Sequence, residues 1–130
     1  MISRKIWPMT LMLATAANAA ALPLKPGTYV LAGTSCHEPP FAATFDYNGR
    51  RFSYPHASDC RSIVRAHSGK TYHVAETCAA LGDGSATVPT TLTTSYTILS
   101  HVLVRVRQGH AKTDSSYRWC PSPAGKNDHE

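Results

Sequence analysis

The sequence predicts an all-β domain, a small antiparallel barrel or sandwich of about seven to eight strands, disulfide-bridged. β-branched and aromatic residues alternate with polar ones in runs of about five, the period of a half-buried strand. Glycine, asparagine, serine and proline cut these runs at short intervals, and few stretches show the helical period.

Along the chain, Arg4 and Lys5 precede an apolar-rich run over residues 6–17. Ala17-Asn18-Ala19 and Ala19-Ala20-Ala21 follow, the pattern of a secretory signal with an A-x-A cleavage site. The expected organisation is a signal peptide at 1–21, a single β domain at 22–121 and a disordered tail at 122–130. Pro26-Gly27 opens a first strand over 28–32, closed by Gly33. A run over 41–47 leads into Asn48-Gly49, a strong two-residue hairpin signal, and residues 51–54 return. Residues 61–67 and 71–77 flank Ser68-Gly69-Lys70, where Gly69 takes φ > 0 at little steric cost. After Cys78, residues 81–89 read as a long surface loop. Strands over 92–99 and 102–107 follow, Val102, Val104 and Val106 on one face and Leu103, Arg105 and Arg107 on the other, with a last strand over 116–119.

A removed signal leaves about 109 residues, room for one core. The apolar run is short and alanine-rich, and no later segment approaches the roughly 20 apolar residues a bilayer requires, so no membrane span is expected. Without Arg4 and Lys5 the chain has 11 basic and 8 acidic side chains. That surplus suits a protein partner or an anionic envelope component but lacks the dense basic footprint of a nucleic-acid binder.

An oxidising, periplasmic or secreted location turns Cys36, Cys60, Cys78 and Cys120 into disulfide partners, a reading supported by the lack of any C-x-x-C pair. Four cysteines allow three pairings, and the expected one is Cys36–Cys60 with Cys78–Cys120, following their order around the strands. Loops of about 25 and 43 residues would contribute roughly 3 to 4 kcal/mol each in the chain-entropy model.

No catalytic set or cofactor is expected. Ser35-Cys36-His37-Glu38 and His56-Ala57-Ser58-Asp59 hold nucleophile, base and acid types, but triad members adjacent in sequence rarely face one another. A carboxylate pair would come from Glu38, Asp46, Asp59, Glu76 and Asp83. The seven histidines include no H-x-H or H-x-x-x-H pair. The one cross-strand metal candidate, for zinc or copper, is His67, His73 and Glu76, set against the simpler reading of scattered surface histidines. Tyr29, Phe41, Phe45, Tyr47, Phe52, Tyr54, Tyr72, Tyr96, Tyr117 and Trp119 fall in predicted strands and read first as core, second as the lining of a ligand cavity. Arg61, Arg65, Arg105 and Arg107 form a basic patch if they share one sheet face.

Ser68-Gly69-Lys70-Thr71-Tyr72 matches the S-G-x-x-Y pattern of the periplasmic inhibitors of c-type lysozyme, small disulfide-containing β-barrels whose loop enters the lysozyme cleft. This resemblance implies inhibitory roles for Ser68 and Tyr72. The cysteine positions depart from that family, and a basic inhibitor would be steered away from a basic enzyme. The whole chain resembles short exported, disulfide-containing proteins of Proteobacteria, which implies a compartment and no activity. The expected function is an exported, non-enzymatic β domain that binds a ligand or protein partner through Ser68, Gly69, Lys70, Tyr72 and the Asp83 loop. The alternatives are a lysozyme-inhibitor-like protein, a small metal-binding or hydrolytic protein using His37, His56, His67 or His73, and a purely structural role in the envelope.

Overall fold

The computed structural model describes Lys5, Pro8 and residues 21–121, so the expected signal peptide and tail lie outside the described residues except at Lys5, Pro8 and Ala21. Eight strands run in order: β1 Gly27–Leu31, β2 Thr44–Tyr47, β3 Phe52–Ser53, β4 Ala57–Ser68, β5 Thr71–Leu81, β6 Ala86–Ser100, β7 Leu103–Gln108 and β8 Ser115–Cys120. All pairings are antiparallel, in the order β3-β2-β1-β8-β7-β6-β5-β4. The first and last strands pair, Tyr29 facing Trp119 and Leu31 facing Tyr117. The chain is therefore a nearly closed up-and-down barrel whose seam lies between β3 and β4, bridged by one pair, Tyr54 with Ala57.

Alternation explains the interior. Tyr29, Phe45, Tyr47, Phe52, Val74, Tyr96, Val104 and Val106 point inward and are buried, while Arg105 and Arg107, which alternate with the valines of β7, stay exposed. The rings pack as a column: Phe52 lies 4.6 Å from Tyr47 and 4.4 Å from Tyr96, and Phe45 lies 5.0 Å from Tyr29. Phe41 alone of the expected core rings is exposed, at 66%, because residues 41–43 form a 3₁₀ turn rather than the start of β2.

Both hairpins form, the first centred one residue later than the Asn48-Gly49 motif and the second with a two-residue turn, Gly69-Lys70, in place of three. Asn48 and Arg51 close the first by the Asn48 N–H bond to the Arg51 carbonyl. The Asn48 carboxamide oxygen accepts from Arg50 and Arg51 N–H, so asparagine caps the turn and Gly49 (φ 96°) takes its first central position. Ser68 pairs with Thr71 around Gly69-Lys70 in the same way.

The expected long loop at 81–89 is instead a short turn over 82–85, with β6 beginning at Ala86. Threonine-rich residues 86–93 continue the ladder because β5 supplies partners as far as Ala80. The register shifts between Cys78/Thr90 and Ala80/Ala86, bulging out Thr87, Val88 and Pro89. Gly82 is required by close approach, since a β-carbon there would run into the Pro55 carbonyl.

The disulfides are Cys36–Cys120 and Cys60–Cys78, which corrects the expected pairing. Cys60 and Cys78 stand directly opposite on β4 and β5, so the bond forms within one hairpin rather than between hairpins. Cys36 reaches Cys120 because the β1–β2 loop folds back onto β8, where Arg118 donates to the Thr34 carbonyl at 2.7 Å. Two structural bridges fit an oxidising compartment.

The end of the barrel that carries the β2–β3, β4–β5 and β6–β7 turns is plugged. Leu22 and Leu24 are buried there, Leu22 N–H donates to Tyr47 Oη at 2.9 Å, and Lys25 N–H donates to the His101 carbonyl at 2.7 Å. Lys25 Nζ lies 3.7 Å above the Trp119 ring.

Replacing Cys36 and Cys120 by alanine should cost more stability than replacing Cys60 and Cys78, about 4.5 against about 3 kcal/mol, because the longer bridge closes the longer loop. Urea unfolding of the two double variants measures this, and non-reducing peptide mapping checks the pairing itself. Phe52→Ala should cost about 3–5 kcal/mol despite lying on a two-residue strand, a loss visible in the same unfolding curves.

Candidate functional site

The opposite end stays open. Strand direction puts the β3–β4 turn, the β5–β6 turn and the β7–β8 turn around it. Beneath them is a cavity of about 240 Å³. Its walls are largely apolar: Ala57 from β4, Cys78, Ala80 and Leu81 from β5, and Leu92 from β6. Thr87 and Thr90 from the bulged part of β6, His56 and Gln108 complete the rim. Leu81 and Leu92 are about half exposed and Val88 is 80% exposed, so the rim presents apolar surface to solvent. A smaller hollow of about 90 Å³ lies beyond Tyr54 and Gln108, against Val106 and Tyr117.

At the base of the cavity sits Glu76, 3% exposed. Its position follows from strand parity, since it shares the inward face with Val74 and Ala80. Tyr96 donates to Oε1 at 2.5 Å and Thr94 to Oε2 at 2.9 Å. Tyr54 donates to Oε1 at 3.4 Å, and its hydroxyl is in direct contact with that of Tyr96. Gln108 lies beside Tyr54, and the two line both hollows. Ser62, directly across from Glu76 on β4, is 2% exposed, and its hydroxyl has no hydrogen-bond partner among the described residues.

Burial raises the Glu76 carboxyl above its ordinary value of 4.5, outweighing the hydroxyl donors of Tyr96, Thr94 and Tyr54, which favour the anion. The Tyr54 phenol is pushed well above 10 by burial and then by the Glu76 charge, and the Tyr96 phenol by burial and then by its neighbours Tyr54 and Glu76. The cluster thus holds one carboxyl in an apolar site, with hydroxyl donors around it and no lysine or arginine among the described residues on the cavity lining.

The expected site residues do not gather here. Ser68, Gly69, Lys70 and Tyr72 lie at the plugged end, where Tyr72 is half buried and stacks on His67 with centroids 4.0 Å apart. Asp83 lies at the open end, the full length of β5 away, on the order of 30 Å for an eleven-residue strand. Its carboxylate accepts from the Ser85 N–H at 2.8 Å, which lowers its pKa and assigns it to the turn.

His67, His73 and Glu76 are split by parity: His73 bonds Ser95 on the outer face, while Glu76 points inward. No group of three metal-ligating side chains occurs among the described residues. Neither hydrolytic run forms a triad. Cys36 is in a disulfide, Ser58 Oγ donates to the Leu81 carbonyl, and Asp59 faces Arg51 at 3.8 Å. Arg61 and Arg65 on β4 are separated from Arg105 and Arg107 on β7 by the two strands between them, and Arg107 is paired with Asp114 at 2.7 Å. No helix among the described residues is long and apolar enough to cross a membrane.

Reading Glu76 as a metal ligand obscured a signal already in the sequence: it continues the Tyr72, Val74 parity that marks the core face. Tyr54, Tyr96 and Thr94 reach it only through the closed barrel. Comparison with family models, curated proteins and solved structures finds no match to this chain.

Glu76 should make the protein less stable as pH rises. A carboxyl whose folded pKa exceeds its unfolded one binds more protons in the native state, so its contribution is present at acid pH and is lost from the ordinary carboxylate range upward through the raised value. Subtracting Glu76→Gln unfolding free energies from wild-type ones across this range should give a difference that falls with pH. A flat or rising difference would contradict the burial-driven shift.

Proposed function

We propose that this protein is an exported, non-enzymatic binding module that takes a small ligand into the open mouth of its barrel. The observation that carries the reading is the asymmetry of the two ends: Leu22 and Leu24 fill one, and the other is a cavity of about 240 Å³ with a buried carboxyl at its base. Small eight-stranded barrels have room for one small molecule, and ligand sites combine apolar walls with a few placed polar groups. Ala57, Ala80, Leu81 and Leu92 supply the walls here, and Glu76, Gln108 and the threonines supply the polar groups.

The volume is below the about 300–1,000 Å³ of drug-sized sites, which points to a ligand of modest size or to one part of a longer molecule. Half-exposed Leu81 and Leu92 at the rim support the second form, since apolar surface left there gains by being covered. The bulge at Thr87–Pro89 supports a site at this end as well, because bulges concentrate beside binding sites and barrel rims. The signal-like pattern over 1–21 and the two disulfides support action outside the cytoplasm, in the periplasm or beyond.

Titration of the ¹⁵N-labelled protein with benzyl alcohol, a small apolar probe with one polar end, tests the reading. Amide shifts should concentrate at Ala80, Leu81, Thr90 and Leu92, and Leu92→Trp, which places a larger ring in the mouth, should weaken them. Shifts confined to the Ser68–Tyr72 end, or none at millimolar probe, would refute the mouth as a ligand site.

A further inference from the structure

We infer that the ligand is a small organic ammonium with an apolar body, its cationic nitrogen seated against Glu76. The inference rests on the mouth being a ligand site and specifies the chemistry of the group that enters first.

The hydrogen-bond inventory of the cavity base is one-sided. An ionised carboxylate offers about four acceptor positions. Oε1 receives Tyr96 and Tyr54, but among the described residues Oε2 receives only Thr94, leaving acceptor capacity on Oε2. Ser62 lies across the β4–β5 ladder from it, its hydroxyl able to accept as well as donate and without a partner among the described residues. Unused acceptors call for a donor, and an ammonium is a donor three times over with nothing to accept.

Charge points the same way. Glu76 is faced from the β3–β4 turn by Tyr54, with His56 at the rim, and from β6 by Tyr96 and Thr94. Its partner strand β4 contributes Ser62 and the bridged Cys60, and β7 contributes Gln108, none of which titrates here. No lysine or arginine among the described residues lines the cavity, although the chain as a whole is basic. A buried carboxyl without a cation is costly when ionised, and a ligand that brings the cation recovers that cost. An anionic ligand would meet Glu76 repulsion, and a metal ion would find one carboxylate where it needs several ligands. The apolar lining by Ala57, Ala80, Leu81 and Leu92 then receives the hydrocarbon part of the amine.

Benzylamine and benzyl alcohol form a matched pair of probes, alike in shape and different in charge. Calorimetry and amide shifts on the full chain near neutral pH should show benzylamine binding about ten- to a hundredfold more tightly, the range for a hydrogen bond to a charged group. Glu76→Gln should abolish that preference. In the wild-type protein the preference should shrink as pH is lowered through the Glu76 titration, with protons released on amine binding and none on alcohol binding. This last measurement decides the matter even if Glu76→Gln does not fold. Equal affinity for both probes with no proton release overturns the ammonium assignment and leaves the ligand site standing. Silence of Ala80, Thr90 and Leu92 to both probes overturns the site and the assignment together.

Discussion

The barrel depends on how its seam is closed. Between β3 and β4 a single bridged pair replaces a ladder, so backbone hydrogen bonds do not hold that side together. Side chains do. Phe52 stacks between Tyr47 and Tyr96, linking a two-residue strand to the far wall, and Tyr54 ties the β3–β4 turn to Glu76 on β5 and Tyr96 on β6. Large rings bury enough area in one position to substitute for several ladder bonds, a favourable exchange in a domain of about this size.

The same latch creates the chemistry. Holding Tyr54 in place requires an acceptor inside the barrel, and that acceptor is a carboxyl whose burial is unfavourable to its charge. Three hydroxyls moderate the penalty without supplying a counter-charge. A group that strengthens the seam therefore also gives the cavity its polar character.

The two disulfides brace different parts of this arrangement. Cys60–Cys78 locks the β4–β5 hairpin beside the cavity, with Cys78 in its wall, and Cys36–Cys120 fastens the folded-back β1–β2 loop to β8 outside the barrel. The plug of Leu22 and Leu24 removes one end from competition for a ligand. The hairpin tip at Ser68–Tyr72 belongs to that plugged end, and its tyrosine spends much of its surface on the core.

Strand identity, the β fold class, both hairpins and most of the buried rings were legible in the sequence, because period-two alternation and turn residues are local properties that survive without tertiary information. The inward placement of Glu76 was legible too, from its parity with Val74. Only the tertiary structure decided the disulfide pairing, since the return of the β1–β2 loop to β8 depends on strand order around the barrel and not on spacing along the chain. It also decided that residues 86–93 extend a strand instead of forming a loop, because threonine takes the strand state where a partner offers one, as β5 does, and Pro89 falls in the bulge where no ladder N–H is needed. The union of Tyr54, Thr94, Tyr96 and Glu76 came from closure itself: residues up to 42 positions apart meet only when the sheet curls, a non-local event that no local pattern encodes.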